Sequence, residues 1–188
     1  MPIGGGAGGS GRDHQAERSP HPRAETTGGD GVTCVMGIDP GKSGGLAWMG
    51  LESGASFSVR MPATEAETWP WFGQGWNLQT PDHAFIEKVS AMPGQGVTSM
   101  FTFGQNYGFL RACLIAAQIP FETVTPAKWQ RMFSLPTLKQ CDGSKTKKKN
   151  AHKARAQELF PDLKITHYVA DAVLLAEYGR RTLAERNG

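Results

Sequence analysis

The chain has 188 residues, of which 39% are hydrophobic and 20% charged, a composition typical of one globular domain with a sizeable core. No apolar run reaches the roughly 18 residues that a membrane-spanning helix needs, so we expect no transmembrane segment. The net charge of +3 is too small to identify a nucleic-acid partner, and the distribution of the basic residues carries more information.

Three widely separated cysteines, Cys34, Cys113 and Cys141, form no CxxC pair. An odd number of isolated cysteines predicts free thiols in a reducing compartment, and no zinc site is expected. A cytoplasmic setting in a bacterial or phage context is the default expectation, and an organelle stays open as an alternative.

Residues 1–31 are predicted to be a disordered leader. They hold nine of the 24 glycines and include only one branched aliphatic residue, Ile3. Such a segment buries too little apolar surface to offset the entropy lost on ordering. It also lacks the apolar stretch of a secretion signal. A tag remnant or a start codon assigned too far upstream would produce the same pattern. The folded domain is predicted over 32–188.

The first part of that domain predicts β-hairpins. An apolar run at 32–38 ends at Asp39 and predicts a strand, and a glycine-rich turn leads to a second strand at 45–49. A third strand is expected at 56–61. Residues 62–80, rich in Trp, Pro and Gly, are predicted as a loop or short helix that covers the sheet.

Helices and strands alternate in the rest of the chain. The predicted elements are a strand at 84–87, a helix at 98–118, a strand at 121–124, a helix start at Pro126, a loop at 136–148, and helices at 151–160 and 169–186. Hairpins followed by alternating elements predict an α/β domain with a mixed central sheet flanked by helices.

Three carboxylates occupy positions at which functional groups gather in α/β folds. Asp39 and Glu87 each end a short apolar strand, at the rim of the sheet, and Asp171 begins an apolar helix. Converging oxygen ligands of this kind are what Mg²⁺ or Mn²⁺ requires. His167, four residues before Asp171, would share a face with it if the helix begins early enough.

Each of these residues has an ordinary explanation when taken alone. A turn residue, a surface ion pair or an acid favoured at a helix start would account for the three carboxylates separately. Their combination favours a catalytic role instead. Two divalent ions held by such a set can activate a water and stabilise the leaving 3′-oxygen of a phosphodiester.

Four motifs also follow one another in a fixed order. They are 35–41 (VMGIDPG), 85–87 (FIE), the pairs Phe103-Gly104 and Tyr107-Gly108, and 167–176 (HYVADAVLLA). In order and spacing, this set resembles the RuvC-type Holliday-junction resolvases from about residue 35 to 180. The sequence Glu-Tyr-Gly at 177–179 resembles the phage and chloroplast branches most closely.

The resemblance implies a ribonuclease-H-like fold and a site for two Mg²⁺ ions. It implies that Asp39 bridges the two metals and that Glu87, Asp171 and His167 complete the site. The spacing between the last two residues is four here and three in other branches. The resemblance further implies a homodimer, in contact through the helix at 98–118, that cuts four-way branched DNA symmetrically.

A basic run lies at residues 139–155, which contain seven Lys or Arg residues and one acid. In a generic protein such a run is a solvated helix start, but next to a nuclease site it predicts DNA contacts. Phosphate contacts of this kind are independent of base sequence and are weakened by salt. The candidate DNA-binding residues are Lys145, Lys147, Lys148, Lys149, Lys153 and Arg155, together with Gln95 in the glycine-rich loop.

Three other functions compete with this hypothesis. An ATPase of the actin and sugar-kinase type begins with a similar Asp-Gly turn but needs two such lobes, for which the chain is too short. A non-catalytic DNA-binding protein would not need all four candidate ligands. A nuclease acting on other branched DNA or on RNA–DNA hybrids would use the same ligands. Dimerisation would separate that nuclease from a resolvase.

Overall fold

The computed structural model describes residues 33–52, 56–72, 80–88 and 96–187. For residue 187 it describes the backbone only. The predicted leader at 1–31 lies outside these ranges, and so does Gln95. Within them, no helix is long and apolar enough to cross a membrane.

Across the described ranges, five strands form a mixed sheet in the order β3-β2-β1-β4-β5. The strands are β1 (Cys34–Asp39), β2 (Gly45–Gly50), β3 (Ser56–Arg60), β4 (His83–Glu87) and β5 (Phe121–Val124). β1, β2 and β3 pair antiparallel through two hairpins, whereas β4 runs parallel to β1 and β5 runs parallel to β4. The mixed sheet predicted from the sequence is confirmed.

Helices cover both faces of this sheet. The helices are α1 (Glu65–Thr68), α2 (Val97–Ala116), α3 (Pro126–Met132), α4 (Lys145–Leu159) and α5 (Ala170–Asn187), with a 3₁₀ turn at Trp69–Trp71. Because side chains alternate along β1, Val35 packs on the face that carries α3, α4 and α5, and Met36 and Ile38 pack on the face that carries α2.

α5 lies directly against β1. A Cβ atom on Gly37 would be 2.2 Å from the carbonyl oxygen of Ala172 and 2.3 Å from the backbone nitrogen of Ala176. Only glycine allows the strand and the helix to come this close. The contact holds the first turn of α5, which contains Asp171, near the end of β1.

The loop predicted at 136–148 is wrong in its last four residues, because α4 begins at Lys145. Ser144 caps the helix by accepting a hydrogen bond from the backbone N–H of Lys147 at 3.2 Å. Lysine is a good helix former, but this first turn has no apolar residue to reveal helical periodicity. The earlier start places most of the basic run on a helix.

Candidate active site

Asp39 and Glu87 lie side by side at the edge of the sheet. Ile38 pairs with Ile86 in the parallel register of β1 and β4, so the next residue of each strand is an acid at its carboxyl end. This is the edge at which ligands bind in open α/β sheets. The structure thus brings together the two acids that the sequence analysis placed at strand ends.

The turn after β1 fits closely around the Asp39 carboxylate. Its Oδ1 accepts a hydrogen bond from the backbone N–H of Gly41 at 3.2 Å. A Cβ atom on Gly44 would be 2.6 Å from the Asp39 carboxyl carbon and 2.3 Å from its backbone oxygen. A side chain at position 44 would therefore displace the carboxylate, which explains the glycine at this point of the turn.

Nearby carboxylate charge affects the ionisation of both Asp39 and Glu87. Burial and then the negative charge of Asp171 raise the pKa of Asp39 to about 7. Burial and then the charge of Asp39 raise the pKa of Glu87 to about 8, with a smaller effect from Asp171. Neighbouring carboxyl groups that resist ionisation together are typical of a site that binds a cation or transfers protons.

Asp171 has a partner that the sequence analysis missed. The Nδ1 atom of His152, on α4, lies 2.7 Å from Asp171 Oδ1. His152 is only 4% exposed, and within the described ranges its Nε2 atom has no hydrogen-bond partner. The weak signal in the sequence was a histidine four residues before Ala156, the other buried residue of α4.

Trp129, on α3, connects this pair to Glu87. Its indole N–H donates a hydrogen bond to Glu87 Oε1 at 3.0 Å. Its fully buried ring also packs edge-on against His152, with 5.5 Å between the ring centroids. Glu87, Trp129, His152 and Asp171 therefore form a continuous chain of contacts, and the sequence analysis did not single out Trp129 either.

His167 is exposed in the turn that precedes α5. The helix begins at Ala170, so the shared helical face that would pair His167 with Asp171 does not form. The proposed role of His167 as a ligand stays a prediction.

Two lysines of the predicted DNA-binding run affect the pKa values of the acids. Beside the larger effects of burial and of the neighbouring carboxylates, the charge of Lys149 lowers the pKa of Asp39. The charge of Lys148 likewise lowers the pKa of Glu87. α4 therefore places two cations close to the carboxylates.

The other basic residues of the run differ in their surroundings. Lys147 lies 2.9 Å from Asp142, and Arg155 lies 2.8 Å from Glu158, so part of their charge is offset. The remaining two candidates are Lys145, which is exposed, and Lys153, which is half-buried.

Comparison with known proteins gives matches among solved structures only. No protein-family model and no curated protein matches the chain. A structure of Thermus thermophilus RuvC in complex with a Holliday junction substrate matches with a TM-score of 0.55 and 14% identity, covering 82% of this chain and 96% of that one. The chain has the RuvC fold. A second Thermus thermophilus RuvC structure matches over the same shares, with a TM-score of 0.54 and 14% identity.

The match confirms the predicted ribonuclease-H-like α/β fold. It extends over most of both chains. At 14% identity the likeness establishes the fold, and the function has to be argued from the site itself.

Proposed function

We propose that this protein is a divalent-metal-dependent endonuclease that resolves four-way DNA junctions. The observation that carries the proposal is the meeting of Asp39, Glu87 and Asp171 at one edge of the sheet, where burial and then the neighbouring carboxylates raise the pKa values of the first two. A protein of the same fold has been solved with a Holliday junction substrate, which supports branched DNA as the substrate class.

The donor set fits a hard divalent cation. Carboxylate oxygens are the ligands that Mg²⁺ and Mn²⁺ prefer, and buried carboxylates that repel one another are stabilised by a cation between them. Among the described residues, no three His, Cys, Asp or Glu side chains already form a metal-binding cluster, so the fit rests on donor chemistry. Asp39, Glu87 and Asp171 would hold two ions, with His167 as a further candidate ligand.

Such ions, when bound, supply an activated water and neutralise charge on the leaving 3′-oxygen in phosphodiester hydrolysis. The chain's own residues orient the site. Trp129 donates a hydrogen bond to one oxygen of Glu87, and His152 restrains Asp171. Lys148 and Lys149 would attract the scissile phosphate to the carboxylates, with Lys145, Lys147, Lys153, Arg155 and Gln95 as further candidate DNA contacts.

The exposed side of α2 supports a homodimer. Phe101 is 66% exposed and Ile115 is 65% exposed, although both are large and apolar. Between them, Cβ atoms on Gly104 and Gly108 would meet nothing within 4 Å. The spacing puts these four residues along one side of the helix, where a second copy could approach closely. Two active sites related by two-fold symmetry would cut strands of opposite polarity.

Cleavage of a synthetic junction tests the proposal. Purified protein is incubated with Mg²⁺ and an end-labelled four-way junction, beside a linear duplex, a fork, a flap and an RNA–DNA hybrid. We expect paired, symmetric nicks on the junction and none on the duplex. Asp39→Asn should abolish them, whereas Asp162→Asn, which changes an exposed carboxylate in the turn after α4, should not.

Two results would contradict the proposal. Failure to cut any branched substrate, or cutting that persists unchanged in Asp39→Asn, would refute the mechanism. Stronger cutting of the fork, the flap or the hybrid than of the junction would favour the alternative nuclease.

A further inference from the structure

A groove runs along the N-terminal half of α2. Its wider part is a cleft of about 680 Å³ between α2 and the segments that follow β1 and β3. A second cleft of about 370 Å³ shares Lys42, Thr102 and Asn106 with the first and continues towards Thr98. Because these three residues line both clefts, the clefts adjoin each other, and we call them together the α2 groove.

The α2 groove lies beside the turn that follows Asp39, because Lys42 in that turn lines both of its clefts. Lys42 lies three residues after Asp39 in the same turn. The side-chain amide of Asn106 donates a hydrogen bond to the carbonyl of Pro40, which joins α2 to that turn. On the opposite wall, the guanidinium of Arg60 lies 4.0 Å from the ring centroid of Tyr168, three residues before Asp171. Both walls are therefore tied to the segments that carry the acids.

The lining of the groove suits a polyanion. Lys42 and Arg60 are exposed, and among the described residues neither forms an ion pair with an acid. Gln105 contributes an amide to the same cleft, and Glu65 is the acid that lines it. The first turn of α2 contains no acid, so the partial positive charge of the helix N-terminus is not offset there. The groove thus combines two available cations with neutral polar groups, as phosphate-contacting surfaces do.

The position of the groove complements that of α4. α4 packs on the α5 face of the sheet, whereas α2 packs on the opposite face. The acids lie at the edge between the two faces. Lys148 and Lys149 approach them from the α5 face, and Lys42 lines the groove on the α2 face. Arg60 also lines the groove, at the same edge of the sheet, and its guanidinium stacks on Tyr168 ahead of α5. A strand whose phosphate sits at the acids would meet cations on both sides.

We propose that the α2 groove binds the sugar–phosphate backbone of the DNA strand where it continues past the scissile phosphate on the α2 side of the sheet. The proposal rests on the proposed nuclease function and adds a second contact surface to that site. Lys42 and Arg60 would contact phosphates, and Thr102 and Gln105 would line the path between them.

Salt-dependent DNA binding tests the groove separately from cleavage. The full chain is titrated with a fluorescent four-way junction in EDTA, so that no strand is cut. The double variant Lys42→Gln/Arg60→Gln should weaken binding about tenfold and reduce the slope of log Kd against log salt by about 2, since each lost phosphate contact removes roughly 0.9. The control Arg131→Gln/Lys164→Gln, which changes two exposed cations outside the groove, should change neither value appreciably.

A second pair of variants addresses the path itself. Thr102→Glu and Thr102→Gln introduce side chains of nearly equal size, and only the first brings a negative charge into the groove. Binding should weaken severalfold more for Glu than for Gln. Circular dichroism and thermal melting of each variant check that the fold is kept.

The outcomes for the groove and for the nuclease are distinguishable. Unchanged affinity and salt slope in the double variant, with equal effects of Glu and Gln at position 102, would overturn the groove proposal even if the junction is cut. Loss of binding in the groove variants, together with absence of cleavage by the unmodified protein, would support the groove and refute the nuclease.

Discussion

The raised pKa of Asp39 makes the stability of the metal-free protein depend on pH. The pKa is about 7 in the folded chain and 3.8 ordinarily, so the folded protein keeps a proton that the unfolded chain has released. Stability from this group is fully present below pH 3.8 and is lost as the pH rises towards 7. Asp39→Asn cannot ionise, so it should escape this loss.

The size of the effect follows from the difference between the two pKa values. A difference of about three units corresponds to roughly 4 kcal/mol above pH 7. The asparagine can still accept the hydrogen bond from Gly41, so the turn should keep its shape. Losing the charge at position 39 also lowers the pKa of Glu87, which adds to the advantage at high pH. The stability advantage of Asp39→Asn should therefore grow by about 2–3 kcal/mol from pH 5 to pH 8.5. For a domain of this size, that is a melting shift of about 5–10 °C.

Thermal and urea denaturation in EDTA at pH 5, 7 and 8.5 measure this advantage. The exposed carboxylate variant Asp162→Asn is the control and should track the unmodified protein at each pH. Added Mg²⁺ should raise the melting temperature of the unmodified protein at pH 8.5 far more than that of Asp39→Asn. A difference between Asp39→Asn and the unmodified protein that stays constant with pH would refute the reasoning.

Four further substitutions test the packing of the site. Gly37→Ala should destabilise the fold by about 3 kcal/mol or more in urea denaturation, because its Cβ would clash with the backbone of α5; near-native stability would contradict this contact. Trp129→Phe keeps an apolar ring but removes the hydrogen bond to Glu87, so we expect the free energy of unfolding to fall by about 1–2 kcal/mol. Because that hydrogen bond lowers the pKa of Glu87, the pH–rate profile should move to higher pH, and an unmoved profile would argue against this role of Trp129. In urea denaturation, His152→Ala should lower the free energy of unfolding by about 1–3 kcal/mol, because His152 is buried. His167→Ala should change it by no more than about 0.5 kcal/mol, because His167 is exposed. Apparent Mg²⁺ affinity, measured by melting shifts, then shows whether His167 is a ligand: unchanged affinity in His167→Ala would exclude it.

Local patterns predicted much of the fold. The strand that ends at Asp39 and the strand that ends at Glu87 lie within one residue or two of their expected positions, because strand formation and turns depend on neighbouring residues. The early start of α4 was missed because its first turn is lysine-rich and carries no apolar periodicity. Its cap at Ser144 was the available signal.

The sequence by itself determined the α/β class and the carboxylates at the two strand ends, since both follow from short-range patterns. The parallel pairing of β1 and β4, which places those ends together, came from the tertiary structure. Only the tertiary structure decided which groups restrain the carboxylates. His152 meets Asp171 across 19 residues, and Trp129 meets Glu87 across 42. Such contacts depend on how α3, α4 and α5 pack on the sheet, and no periodicity along the chain encodes that packing. Tertiary packing also left His167 in an exposed turn, and α2 on the other face formed the α2 groove beside the turn that follows Asp39.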